Sequence, residues 1–440
     1  MIVQRLICIV GLVAFILIGW VLSSDRRRFP WRVVVGGLAL QLILGYLILR
    51  TQPGRLAFDA AGQFFNRLMQ FVGEGSGFLF RRGEDLSLIE TFAFGVLPTV
   101  IFFSALMSVL YHLGIMQRVV WAMAWVMQFT LKTSGPETLA AAANVFVGHT
   151  EAPLVVKPYL RSMTRSELNA LMTGGFATVT GGLLGAYAGM GIDIRHLLTA
   201  SVISAPAALL IAKVMVPETE PEKISTQLVV VTDKESVNMI GAAVQGASDG
   251  LKLALNVGAM LIAFLALLAM VDWLIGSLGE LYWWIVEDRT FKAEESVAAH
   301  RPWSLGLLLG YACAPLALCM GVPVSECLAA GELIGLKTVA NEFIAYEKLG
   351  RMPLGGEGEI SLRTKIVLTY ALAGFSNFGA VGIQVGGIGG LEPSRKQDLA
   401  KLGLKAMLGG LLACCMTGAI AGLMLDASDL ITPTPAVNAN

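Results

Sequence analysis

The sequence predicts an all-α polytopic membrane protein whose helices are broken at corresponding places in two halves. Three observations carry that prediction. The 440 residues are 55% hydrophobic and only 15% charged, with a mean hydropathy of +0.69, whereas a soluble chain carries about 25% charged residues. The charge deficit runs along most of the chain, as it does when many segments face lipid. Several apolar stretches are interrupted by glycine, proline and polar residues, and the interruptions recur in the same order in each half. A net charge of zero, from 32 basic and 32 acidic residues, leaves no electrostatic case for nucleic-acid binding, which needs a basic surface to displace counterions from phosphate.

A helix needs about 20 apolar residues to cross a bilayer core of about 30 Å. Segments meeting that standard, or nearly so, are 3–22, 33–50, 91–113, 197–216, 251–276 and 403–425. The first is too long for a typical signal-peptide core and its strongest basic cluster follows it, so it reads as a retained span. Arg26, Arg27, Arg28 and Arg32 lie between the first two spans, which places that loop in the cytoplasm and the N-terminus outside. Residues 56–86 and 117–132 mix aromatic and polar residues and read as amphipathic helices at the interface. The acidic stretch 217–238 is expected to join the two halves, and 287–302 reads as a second exposed loop. Cys8, Cys313, Cys319, Cys327, Cys414 and Cys415 sit in apolar surroundings without metal spacing and read as small buried hydrophobes.

The stretches 135–160, 166–192, 303–346 and 364–392 are equally apolar but broken. Non-helical backbone is tolerated at membrane depth only where protein or a water-filled cavity satisfies its polar groups. In the first half Glu151 is followed by Gly175, Phe176, Ala177 and Thr178; in the second, Glu342 is followed by Gly374, Phe375, Ser376 and Asn377. A glycine-rich apolar run follows each break, GGLLGAYAGMG and GAVGIQVGGIGG. Interrupted hydrophobic segments in matching positions of two halves point to a transporter's midplane binding site. The pattern divides the chain into 1–88 (two spans and an interfacial helix), 89–240 (first repeat) and 241–440 (second repeat).

Glu151 and Glu342 carry the sharpest chemistry, because a carboxylate at the bilayer centre costs about 2.5–3.5 kcal/mol on insertion scales. Either each answers a nearby lysine, Lys157 and Lys337 being the candidates, or both face a cavity and accept hydrogen bonds from a polar solute. Asn144, Thr150, Thr178 and Asn377 lie beside the breaks, where they either cap helices or join exposed carbonyls as ligands for a hard cation such as sodium. Phe375 packs, or offers a face to a planar ring. His149 stands next to Thr150 and near Glu151, which favours a place in the site over a purely structural one. An intramembrane hydrolase, the rival class, needs a nucleophile, a base and an oxyanion site; HExxH is absent, the single GxSxG string, GASDG at 246–250, has no histidine beside it in sequence, and the GxxxxGK[ST] loop of an ATP-driven machine is absent too.

The segment NVFVGHTEAPLVVKPYLRSMTRSELNALMTGGFATVTGGLLGAYAGMGI (144–192) resembles the first signature region of the concentrative nucleoside transporters, with its G-Q-T-E-A-P, M-T-R-S-E and Y-A-G-M-G elements. GELIGLKTVANEFIAY (331–346) and YALAGFSNFGAV (370–381) resemble the second, N-E-F-x-A-Y followed by G-F-A-N-F. The similarity is strongest over about 135–425. It implies a homotrimer of eight-helix protomers in the plasma membrane, the inner membrane of a bacterium. Two re-entrant hairpins would lie near 135–165 and 300–332, two broken helices near 168–192 and 364–390, and an inverted repeat would work as an elevator. The resemblance assigns Gly148, His149, Thr150, Glu151 and the apolar Leu183 to the nucleobase, and Glu342 and Asn377 to the ribose, with Phe375 beside them. It assigns sodium to Asn144 and Thr178 with the carbonyls of Val147 and Val179. The implied activity is cation-coupled nucleoside symport, with sodium as coupling ion and a proton as the alternative. Two departures stand out: His149 replaces the usual glutamine, and Ala380 replaces a serine that would meet the ribose.

Overall fold

The computed structural model of the chain describes residues 2–80, 91–149, 151–225, 237–286, 303–354 and 360–426. The expected loop 287–302, the middle of 217–238, the end of the segment 56–86 and Thr150 lie outside the described residues. Apart from one isolated bridge between Leu354 and Ile360, the described residues form helices and the turns between them.

The chain opens with α1 (Ile2–Val21) and α2 (Trp31–Arg50). Arg26 ends α1 by donating from Nε and Nη2 to the Val21 carbonyl at 3.0 and 2.6 Å, a cation set against the negative end of a helix. Next comes α3 (Gln52–Phe80), which buries Gly62, Phe65, Val72 and Ser76 along one stripe and leaves Phe64 and Phe78 exposed. That is the expected amphipathic helix. The span α4 (Leu97–His112) is followed by the shorter α5 (Ile115–Leu131), the second helix predicted at the interface.

The next elements form the first helical pair. Helix α6 (Gly135–Ala143) begins in a capping box of Ser134 and Glu137 and is buried throughout. It ends at Asn144, and the chain returns through the single turn α7 (Ala152–Val155). A second capping box, Thr164 with Glu167, starts α8 (Arg165–Ala177). Thr178 is extended at φ −126°, ψ 160°, and α9 (Gly181–Gly189) resumes under a Thr180 cap. The first half closes with α10 (Ile194–Met215). A buried ion pair fastens these elements: Lys213 of α10 lies 2.6 Å from Glu137 of α6 and donates to Ser166 of α8 at 2.9 Å.

The second half repeats the order. Helix α11 (Met239–Val286) is far longer than the predicted 251–276. Gly246 and Gly250 let it approach α4, since a Cβ at either would lie 2.6–2.8 Å from Ser108, Ser104 or Ile101, the close small-residue contact common between membrane helices. Then come α12 (Leu305–Cys319), α13 (Cys327–Val339) and α14 (Glu342–Arg351). The resemblance places the second hairpin near 300–332, but the helix pair that meets at the break before Glu342 is α13 and α14, over 327–351. The turn between α12 and α13 is an ordinary one, made by Gly321 at φ +75° and Pro323. The second broken helix is α15 (Leu362–Leu372) and α16 (Phe378–Leu391), and α17 (Lys396–Met424) ends the described chain.

Six described helices are long and apolar enough to cross a membrane. With the two broken helices, α8–α9 and α15–α16, they account for eight crossings. Helices α10 and α17 are the spine: 89% and 83% of their apolar windows are buried, against 11% for α11 and 22% for α4. The two breaks cross on this spine. A Cβ at Gly374 would lie 2.6 Å from both the Phe176 carbonyl and Cys414 Sγ. Cys414 of α17 approaches the carbonyls of Ala177 and Ala373 at 3.6 and 3.5 Å. Cys8, Cys327, Cys414 and Cys415 are buried as expected, while Cys313 and Cys319 are half-buried.

Candidate substrate and ion site

Glu342 is the first residue of α14, placed there because Asn341 caps the helix by accepting from the Ile344 amide at 3.0 Å. It is only 2% exposed. Tyr187 of α9 donates its hydroxyl to Oε1 at 3.2 Å, and Asn377 donates from Nδ2 to Oε2 at 3.3 Å. Asn377 in turn starts α16, its Oδ1 accepting from the Ala380 amide at 2.8 Å. One carboxylate thus joins the second hairpin to both second half-helices of the broken pairs. Lys337 acts on Glu342 electrostatically but forms no close ion pair with it, its Nζ donating instead to the Ala371 carbonyl at 2.9 Å. The lysine-pairing reading gains nothing from Lys157, which is exposed and makes no ion pair among the described residues.

Beside this node lies the first hairpin tip. The Gly181 amide donates to the Phe146 carbonyl at 2.9 Å, fixing the tip to the start of α9. Gly148 is buried against Thr180, where an added Cβ would sit 3.3 Å from the threonine side chain. Its amide donates to Glu151 Oε2 at 3.4 Å. Glu151 itself is exposed, so the two glutamates differ sharply in environment. The His149 ring stands 4.7 Å from the Phe375 ring at 58°. Both its ring nitrogens are buried without a hydrogen-bond partner among the described residues, a costly arrangement unless another group completes it. Leu183 is buried on α9. Thr150 lies outside the described residues.

Asn144 is fully buried at the C-terminal end of α6, and neither its Oδ1 nor its Nδ2 has a partner among the described residues. It faces the last turn of α8, where a Cβ at Gly174 would meet its Nδ2 at 3.0 Å. Thr178 ends the same turn and donates to the Gly174 carbonyl at 2.9 Å, leaving its oxygen lone pairs for another donor or a cation. Val147 and Val179 are buried. A neutral oxygen set beside two helix C-termini suits a hard monovalent cation.

Two residues escaped the sequence reading. Tyr187 was hidden because an aromatic residue in an apolar helix ordinarily packs. Gln384 carried a usable signal, the lone amide in GAVGIQVGGIGG. Its Nε2 donates to the Met172 carbonyl at 3.3 Å, and it shares the Gly175 notch with His149, each within 2.7 Å of a Cβ built there.

Comparison with known proteins decides the family. The model for the Na+ dependent nucleoside transporter C-terminus matches residues 196–422, more than half of the chain. The chain belongs to the Na+ dependent nucleoside transporter family. The N-terminal model of the same family matches 10–82, and a nucleoside recognition model matches 93–193. Solute carrier family 28 member 3 of Eptatretus stoutii is 41% identical over 426 residues, covering 94% of this chain and 60% of that protein. This chain therefore spans about three-fifths of the first curated transporters it matches. The transporter YutK of Bacillus subtilis is 41% identical over 418 residues and matched over 98% of its length. Among solved nucleoside-transporter structures, CNTnw in an inward-facing substrate-bound state superposes with a TM-score of 0.85 at 38% identity, covering 96% of this chain and 97% of that one. An outward-facing CNTnw structure gives a TM-score of 0.87 at the same identity.

Proposed function

We propose that this protein is a multi-pass membrane symporter that carries nucleosides into the cell, coupled to sodium, by alternating access. The observation that carries the reading is the juxtaposition at the crossed breaks. A buried carboxylate with two donors, Glu342, stands beside an imidazole and an amide, His149 and Asn144, whose polar atoms lack partners among the described residues. A nucleoside and a sodium ion supply what those groups lack. In this reading the ribose hydroxyls donate to Glu342 and engage Asn377, with Phe375 alongside. The base meets the tip residues Gly148, His149, Thr150 and Glu151 and the apolar Leu183. Sodium takes Asn144, Thr178 and the carbonyls of Val147 and Val179. Ala380 withholds a hydroxyl from the ribose.

The solved relatives support the transport cycle, since CNTnw is known in both inward-facing and outward-facing states. In this protein the hairpin tips re-enter the membrane, and the crossed breaks move as one body in an elevator-like step. The first 88 residues supply spans and an interfacial helix, and the repeats 89–240 and 241–440 supply the site. The working unit is a homotrimer in the lipid bilayer, and the protein moves its solute without covalent chemistry. A thermal-shift panel of nucleosides and free bases, each in sodium and in potassium, tests the reading. Stabilisation by nucleosides that is larger in sodium supports it. Stabilisation by free bases alone, or equally in both salts, contradicts the substrate or the ion, respectively.

A further inference from the structure

We propose that Lys337 is a tethered cation that holds, in the second half, the place that the sodium ion holds in the first. The inference rests on the sodium reading above and concerns a buried charge which that reading leaves unused. In each half the first hairpin helix and the first half of the broken helix bring their C-terminal ends together. A helix C-terminus carries the equivalent of about half a negative charge, so two ends meeting at membrane depth call for a cation. In the first half the side chains at that place are neutral: Asn144 follows the last residue of α6, against Gly174 in the last turn of α8, and Thr178 ends that turn. In the second half the last turn of α13 carries Lys337, which is 0% exposed. Its Nζ donates to the Ala371 carbonyl in the last turn of α15 at 2.9 Å.

Lys337 makes no ion pair with a carboxylate among the described residues, and both oxygens of the sequence-near Glu342 are taken by Tyr187 and Asn377. At hydrogen-bond distance a helix end is what the ammonium answers. A buried ammonium is costly in such a place; it acts on Glu342 electrostatically at longer range, and the helix end at Ala371 is the partner it touches. With the second pair of helix ends already neutralised inside the protein, one mobile cation suffices per transport cycle. Each neutral nucleoside should therefore move with one charge.

The experiment uses the full chain in proteoliposomes with radiolabelled uridine. A sodium gradient is opposed by a potassium diffusion potential set with valinomycin, and the potential at which net uptake stops gives charges per nucleoside. The expected result is one charge, with a sodium Hill coefficient of about 1. Two charges per nucleoside would overturn the proposal. Lys337→Met should lower uptake by about tenfold or more at a sodium concentration that saturates the wild type, while Lys337→Arg keeps most of it. A Lys337→Met protein with wild-type uptake and Hill coefficient would also overturn it. The wild-type ratio decides the matter even where the methionine variant does not fold. Were a proton gradient found to drive uptake instead, the sodium reading would fall, and the charge ratio would still test Lys337.

Discussion

Tyr187 and Asn377 orient Glu342, the proposed ribose ligand, from two different half-helices. Glu342→Gln exchanges one acceptor oxygen for a donor and leaves the ribose hydroxyls facing a mismatched group. We expect uptake to fall by about two orders of magnitude or more, some 3 kcal/mol, with the detergent-purified protein still monodisperse. Near-normal uptake by that variant would remove the ribose role. At the tip, neutral imidazole and the glutamine amide each offer one donor and one acceptor, but at different positions. His149→Gln should shift the ratio of purine to pyrimidine nucleoside affinity by about tenfold, or about 1.4 kcal/mol, as read by competition for uptake. An unchanged ratio would show that the ring does not touch the base. Glu342, Asn377 and Asn144 could be read from the chain because polar groups beside breaks in apolar segments are conspicuous. Tyr187 could not, since its hydroxyl matters only where tertiary packing brings it to Glu342. Lys337 was legible only in part: five positions from Glu342, it acts on that carboxylate electrostatically, but α13 ends at Val339, the break at Ala340 and Asn341 redirects the chain, and its Nζ bonds the Ala371 carbonyl instead.

At the scale of elements, breaks and caps do most of the positioning. Thr180 and Asn377 start the second halves of the two broken helices, and both were visible as small polar residues next to Gly-Phe breaks. The extent of α11 and the place of the second hairpin were less visible. An apolar run gives no length beyond the bilayer, and the turn at Gly321 resembles a break until Asn341 is seen to cap the next helix. The contact between the breaks makes a sharp prediction. Gly374→Ala would drive a methyl group into the Phe176 carbonyl and Cys414, so the backbone must move; a loss of about 1–3 kcal/mol should appear as a lower melting temperature and weaker transport together. The clasp at the base of the first hairpin gives another. Lys213→Met leaves Glu137 buried and unpaired, which costs about 3–5 kcal/mol, whereas Lys213→Met combined with Glu137→Met should restore most of the stability. A single variant as stable as the wild type would mean that the pair is not a fastening.

For the whole molecule, the burial pattern separates a tightly packed body around α10 and α17 from the exposed pair α4 and α11. Composition predicted the membrane class and the spans, because lipid imposes the same apolar length on every crossing. It could not predict that the two breaks cross, since that contact depends on Gly374 and Cys414 meeting Phe176 and Ala177 across the fold. The crossing puts the candidate ion ligands and the candidate ribose ligands in one body, so binding of one can favour the other by reciprocal linkage. The measurement that tests this most directly is nucleoside uptake into proteoliposomes under an inward sodium gradient, an inward potassium gradient or a proton gradient. The account predicts concentrative uptake with sodium alone, lost when the sodium gradient is collapsed. Uptake that ignores sodium and follows the proton gradient, or that never exceeds equilibrium, would contradict it.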